Sequence, residues 1–214
     1  NSQGFTWVRF LGKGANGGFG DPQITNLYYN FVNGKVWIAD FNGDGLDDVL
    51  KQITSSSWGV YYSQGGPVFK YRSGFGGPDG FSGMKVADVN GDSLPDLVTR
   101  YDSKIWFRIN TGDGFTEPTI AYPSNIVGNS QWDNALVYDH NADGRADILF
   151  NYGNQWGVLT SNGTTMSYTA TGIPSTGWDW GPQVADITGN GMSDLILAIS
   201  NTWQVRLHNN ERPD

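Results

Sequence analysis

Oxygen-bearing side chains recur at alternate positions in four short loops of this 214-residue sequence. The first loop reads Asp40-Phe41-Asn42-Gly43-Asp44-Gly45-Leu46-Asp47-Asp48. Counted from its first Asp, oxygen side chains stand at positions 1, 3, 5 and 9, as Asp40, Asn42, Asp44 and Asp48. The second loop places Asp88, Asn90, Asp92 and Asp96 there, and the third Asp139, Asn141, Asp143 and Asp147. The fourth has Asp186, Thr188, Asn190 and Asp194. Alternate oxygens on a tightly turning backbone converge on one point, which is how a hard cation such as Ca²⁺ gathers its six to eight ligands. Position 7 (Leu46, Leu94, Arg145, Met192) is expected to offer its backbone carbonyl, so its side chain is free to vary. Position 6 is Gly45, Ser93, Gly144 and Gly191. Glycine suits the left-handed backbone of such a turn, and Ser93 is the exception where strain is expected.

Charge fits this reading. Positions 1, 5 and 9 use eleven of the chain's 21 acidic residues, and the formal net charge is −8. Up to four structural Ca²⁺ would neutralise it. The fourth loop carries only two of those carboxylates, so it is expected to bind most weakly or stay empty. A single Asp-Asn-Gly stretch could be a solvated turn, but four in register favour a metal. The loops are not EF-hands, because the Glu at position 12 is missing and β-like runs flank them. A flexible oxygen cage suits Ca²⁺ better than Mg²⁺.

The elements that position these loops follow from the repeat. The first Asp falls at 40, 88, 139 and 186, a period near 48. Trp7, Trp58, Trp106, Trp156 and Trp203 keep the same beat, each within a short β-like run. A unit of this length without helical periodicity is the size of a four-stranded propeller blade. Strand one enters the acidic loop (residues 36–39, 84–87, 136–138, 184–185) and strand two leaves it (49–53, 97–101, 148–151, 195–199). Their apolar runs suit strands covered on both faces. Strand three carries the Trp. Strand four (23–27, 68–71, 119–122, 166–169) is more polar, as an outer edge should be. The expected fold is therefore all-β, a propeller or propeller segment of about four four-stranded blades in one domain, 1–214. The strands number two, then three sets of four, then three. Seventeen is one more than four blades need. Ring closure with a strand left over, a longer array, and self-association through open strand edges all remain open.

Composition narrows the function classes. Gly is 30 of 214 residues, aromatics are 14 % and there is no Cys. Disulfides, thiolate metal sites and cysteine nucleophiles are excluded. The pI near 4.5 argues against nucleic-acid partners. The longest apolar run, Leu195–Ile199, is too short to span a bilayer. The start at Asn1 has the character of a mature or trimmed end rather than a translation start. Only two His occur, His140 and His208, with no nucleophile elbow. Catalytic residues are therefore not assigned.

The motif Asp-x-Asn-x-Asp-Gly-x-x-Asp between two strands, recurring near 48 residues, resembles the FG-GAP (VCBS-type) repeat. This is the blade of calcium-decorated propellers that include integrin α-subunit heads and a group of fungal and bacterial lectins. The Trp strand and the Asn-Gly-rich turn after it are most similar to the Psathyrella velutina-type lectins. That resemblance implies structural calcium and sugar pockets between neighbouring blades. It carries a Gly-Trp onto Gly177-Trp178, followed by Asp179 and Trp180. Trp132-Asp133 and Phe81 stand at the comparable places in earlier repeats. A Trp face on a pyranose beside a carboxylate makes a sound sugar site, although the same aromatics could simply pack between blades. The basic residues that follow Gly-Trp in those lectins are missing here.

The resulting expectation is a calcium-stabilised carbohydrate-binding module with glycan partners. The alternatives are a protein-interaction or accessory propeller, and a polysaccharide-active enzyme, for which Asp133 and Asp179 are the only pair of carboxylates outside the loops that stands with the pocket aromatics. Loops of this modest charge need calcium at extracellular levels, so secretion is expected. One sequon, Asn162-Gly163-Thr164, sits at a turn.

Overall fold

A computed structural model of the chain describes residues 5–12, 17–29, 36–54, 57–72, 83–123, 129–175, 180–199 and 202–208. It contains seventeen strands among them, all in antiparallel sheets whose neighbours follow chain order. The chain divides into two compact units, Asn1–Gly80 with Thr111–Phe115, and Phe81–Asn110 with Thr116–Asp214.

The first unit holds a two-stranded sheet, β1 (Phe5–Arg9) and β2 (Gln23–Tyr29). Its four-stranded sheet is β3 (Val36–Ala39), β4 (Asp48–Thr54), β5 (Ser57–Ser63) and β6 (Phe69–Arg72). The second unit holds β7 (Lys85–Ala87), β8 (Asp96–Tyr101), β9 (Lys104–Arg108) and β10 (Thr119–Tyr122) as one sheet. A second sheet is β11 (Leu136–Tyr138), β12 (Asp147–Tyr152), β13 (Gln155–Ser161) and β14 (Met166–Pro174). The last has three strands, β15 (Trp180–Ala185), β16 (Asp194–Ile199) and β17 (Thr202–Arg206). Three sheets thus have the full four strands, and the incomplete ones fall at the two ends as the strand count predicted. One element was not anticipated, a short helix α1 (Asn129–Asp133) ahead of β11.

Each strand two begins at the ninth loop residue and is buried over its first four positions in β4, β8 and β12. Apolar side chains on both faces are therefore used. In the second unit Ile148 and Phe150 pack with Val98, Ile105 and Phe107, while Leu149, Trp156 and Val158 pack with Leu195 and Leu197. In the first unit Leu50, Trp58 and Val60 are buried, with Trp37 edge-on to Trp58 at 5.1 Å. The outer strands are thinner: β6 is mostly exposed, as is β10 apart from Ala121.

Gly157 on β13 is required by packing. A Cβ there would collide with the ring of Tyr168 on β14, and the same holds for Gly59 beneath Tyr71. The outer-strand Tyr fills the space that the glycine leaves.

The Trp landmark conceals a slip. Ser63, Asn110, Ser161 and His208 close strand three equivalently, each donating its backbone N–H to the ninth Asp of its own loop at 2.7 Å. Trp58, Trp156 and Trp203 lie five residues before that closing residue, but Trp106 lies four before. One residue of register moves a side chain to the other face. Ile105 takes the core place at 1 % exposure, and Trp106 is only half-buried, its indole donating to the Tyr101 carbonyl.

Candidate functional site

The four acidic loops share one architecture. In the first, Asp40 Oδ1 accepts from the backbone N–H of Gly43 (2.8 Å) and Asp44 (3.1 Å), and Oδ2 from Gly45 (2.7 Å). Asn42 Oδ1 accepts from Asp44 N, and Asp44 Oδ1 from Leu46 N. Asn42 Nδ2 donates to Asp44 Oδ2 at 3.0 Å. Positions 1, 3 and 5 thus gather over one turn. Asp88, Asn90 and Asp92 repeat this contact for contact, with Leu94 N on Asp92. Asp139, Asn141 and Asp143 repeat it without the position-4 contact to Asp139, and Arg145 reaches Asp143 with both its backbone N–H and its guanidinium. In the fourth loop Asp186 takes the same backbone donors, Thr188 reaches only Asp186 at 3.5 Å, and Asn190 takes the Met192 N–H while donating to the His208 carbonyl.

Position 6 is left-handed in every loop: φ is 85° at Gly45, 69° at Ser93, 82° at Gly144 and 83° at Gly191. Ser93 bears the strain expected of it. Position 4 is left-handed too, at Gly43, Gly91, Ala142 and Gly189. Glycine at three of those four positions was a signal the sequence reading passed over.

Position 9 differs from the rest. Asp48, Asp96, Asp147 and Asp194 are at most 1 % exposed. Each carboxylate accepts two backbone N–H groups, one from loop position 2 and one from the end of strand three. It is a bolt joining loop, strand two and strand three. Burial pushes the Asp96 and Asp147 carboxyls up to about 6, against the pull of their backbone donors, and the neighbouring loop carboxylates push the same way. Asp48 is raised for the same reason. Asp186, on the surface, is held below the usual range by the N–H of Gly191 and then those of Gly189 and Asn190. Among the described residues no three acidic or His side chains converge as a ready metal cluster, because position 3 is an amide or hydroxyl and position 9 is turned to the backbone.

The pocket residues fare unevenly. Phe81, Trp178 and Asp179 lie outside the described residues, as does the side chain of Trp180, whose backbone opens β15. Trp132 is 1 % exposed; its indole N–H donates to the Gly83 carbonyl at 2.6 Å, and Lys85 Nζ lies 5.9 Å from its ring centroid. Contrary to the sequence expectation, its faces belong to the core and offer no platform for a sugar. Asp133 is exposed and does border a cavity, of about 670 Å³, shared with Gln131, Asn151, Trp156, Pro182 and Gln183. Two of the bordering residues carry a buried polar atom without a partner, Trp156 Nε1 and Asn151 Oδ1. They are cross-strand neighbours on β12 and β13. The sequence reading took Trp156 only as a strand landmark; its pairing with Asn151 across a hairpin is a tertiary fact.

The FG-GAP-like repeat family matches the sequence over residues 40–99, 88–150 and 139–197, each match opening at the first Asp of a loop. The chain belongs to the FG-GAP-like repeat family. No curated protein matches it. Among solved structures, these FG-GAP-like blades are similar to a lectin of Agrocybe aegerita, with a TM-score of 0.69 and 19 % identity over 95 % of this chain. They are also similar to a Photorhabdus luminescens Tc holotoxin pore, with a TM-score of 0.63 and 21 % identity over 95 % of this chain. The chain spans 61 % of that lectin and 11 % of that toxin chain. These likenesses establish the propeller fold class. No helix among the described residues is long and apolar enough to cross a membrane.

His140 and His208 also meet in the FG-GAP-like framework. Their rings stack at 4.5 Å, and the Tyr138 hydroxyl bonds His140 Nδ1 at 2.9 Å. Burial lowers the His140 pKa, and the neighbouring His208 lowers it further. Both border a second, smaller cavity.

Proposed function

We propose that this chain is a calcium-stabilised, carbohydrate-binding propeller module acting outside the cell, with no catalytic role. The observation that carries the binding half is the cavity beside Asp133. Trp156 and Asn151 border it, and behind its wall lie a buried N–H donor of Trp156 and a buried amide acceptor of Asn151, neither matched within the protein, which a side-chain shift would open to a ligand. Buried polar groups are normally paired, so a ligand offering one acceptor and one donor would be recognised here. The acetamido group of a 2-acetamido sugar offers both. The similar Agrocybe aegerita lectin is described as recognising non-reducing terminal N-acetylglucosamine, which makes that sugar the first probe. The exposed Asp133 carboxylate would accept from ring hydroxyls.

Calcium would be held at positions 1, 3 and 5 and the position-7 carbonyl of each loop. The position-9 carboxylate bolts the loop and reaches the ion only through lone pairs its backbone donors leave free. The chemistry of the donor set fits a hard cation that takes all-oxygen ligands. Bound ions would tie strand one to strand two.

The test is a glycan array in millimolar calcium, repeated with chelator, followed by titration of N-acetylglucosamine. Selective, sugar-inhibitable binding that falls with Trp156→Phe, which keeps a six-membered aromatic ring and removes the N–H, supports the reading. A folded protein that binds no glycan overturns it. Similarity to part of a much larger toxin chain favours, as the second reading, an accessory module of a larger protein.

A further inference from the structure

Position 7 of the third loop is Arg145, where the other loops have Leu46, Leu94 and Met192. Its guanidinium turns back onto its own loop and forms an ion pair with Asp143, the position-5 carboxylate. The two side chains are 30 % and 23 % exposed, so solvent screens the pair only in part.

Asp143 is more fully engaged than its counterparts. The position-3 amide donates to Oδ2 of the position-5 Asp in three loops, from Asn42 to Asp44, Asn90 to Asp92 and Asn141 to Asp143. The position-7 N–H holds Oδ1 in each. Among the described residues, the third loop alone adds a positive charge, from Arg145 Nη2 to Oδ2. The arm that carries this charge has contacts of its own. Arg145 Nε donates to the Ser161 carbonyl at 3.1 Å, and the Ser161 N–H holds Asp147 Oδ1 at 2.7 Å. Arg145 Cγ lies across Gly91 of the second loop, 3.3 Å from where a Cβ would stand there. The next residue, Ala146, donates its N–H to the Asp88 carbonyl at 2.7 Å.

A cation in this place does part of a metal ion's work. It neutralises Asp143 and ties the loop to the end of strand three. It also repels a second cation, and the affinity of oxygen loops for calcium follows the charge of their ligands. Arg145 offsets one of the three carboxylates at positions 1, 5 and 9.

We infer that Arg145 is the resident counter-cation of the third loop: it holds Asp143 when no metal is bound, and it competes with calcium for that carboxylate. The third loop therefore takes calcium more weakly than the first and second. The competition rests on the calcium reading of the loops, whereas the metal-free role does not.

The test uses the full chain, isotope-labelled for NMR, with free calcium set by chelator buffers at constant ionic strength. The position-6 amides report the loops one by one, because each is bonded to the first Asp of its own loop: Gly45, Ser93 and Gly144. Gly144 should reach half-shift at about tenfold higher free calcium than Gly45 and Ser93, the repulsion of a divalent and a univalent charge about 6 Å apart in water. Arg145→Leu, the residue type at position 7 of the first two loops, should bring Gly144 to within about threefold of Ser93. Arg145→Lys, which keeps the charge, should leave most of the gap. In chelator, Arg145→Leu should lower the Tm, and the loss should shrink in high salt, which a loss of packing alone would not do. Gly144 titrating together with Ser93 in the unaltered chain overturns the competition. A loss in chelator that ignores salt, or no loss, overturns the metal-free role. If no loop amide moves with calcium, the calcium reading falls with the competition, and the salt dependence in chelator still decides whether Arg145 holds Asp143.

Discussion

Replacing Asp96 by Ala in chelator separates bolt from ligand. Asp96 is fully buried, with Val89 N at 3.0 Å and Asn110 N at 2.7 Å on its two oxygens. Both donors belong to residues at most 2 % exposed. Leaving a buried donor unsatisfied costs about 1–3 kcal/mol, so the gross loss is about 2–6 kcal/mol. Part is returned. The carboxyl pKa stands at about 6 instead of 3.8, so keeping it ionised at pH 7 already opposes folding by about 3 kcal/mol. The expected net loss is therefore at most about 3 kcal/mol, or a Tm lower by at most roughly 12 °C for a chain this size. Asp92→Ala is the control. Asp92 is exposed, and water can replace the carboxylate at Leu94 N, so its cost without metal should be under about 0.5 kcal/mol. Urea unfolding followed by Trp fluorescence in EDTA measures both. In saturating calcium Asp92→Ala should lose the metal's stabilisation, about 2.7 kcal/mol per site at a hundredfold excess over Kd. Equal losses for the two variants in EDTA would refute the division of labour within the loop.

Three further outcomes follow from the same geometry. The raised carboxyls of Asp48, Asp96 and Asp147 favour folding below their unfolded pKa near 4, an advantage lost as pH rises, through about 6 for Asp96 and Asp147. Asp186 works in the opposite direction, but the metal-free protein should still be less stable at pH 7 than at pH 5 by denaturant melts, and a rise toward pH 7 would contradict this. Ser93→Gly, at φ 69°, should stabilise by about 0.5–1 kcal/mol in thermal melts, since the left-handed backbone penalises a Cβ. In calcium titrations Asp40→Ala should remove more bound metal than Asp186→Ala, because the fourth loop has the fewest carboxylates; equal losses would overturn that ranking.

The repeat was legible without coordinates because two landmarks, the acidic loop and the Trp strand, recur in phase, and local turn chemistry sets both. Alternating oxygens with Gly at the turn dictate the loop backbone through contacts spanning five residues, so Asp40 and its three counterparts behave alike. Apolar runs after each loop mark strands that must be covered on both faces, which is why strand order followed from the chain. Residue type could not reveal the fate of a side chain whose partner is distant. Asp48, Asp96, Asp147 and Asp194 looked like four more oxygens for a cation. Only folding brings the N–H of a residue fourteen or fifteen positions on (Ser63, Asn110, Ser161, His208) onto each of them. Trp132 looked like a sugar platform until the Gly83 carbonyl, 49 residues away in sequence, took its indole N–H. Trp106 kept the beat yet faces the other way, because register depends on one residue and periodicity near 48 does not resolve one residue. Trp156 and Asn151 became a candidate recognition pair only when a hairpin set them side by side over a cavity, since spacing along a chain says nothing of which buried polar atoms are left without a partner.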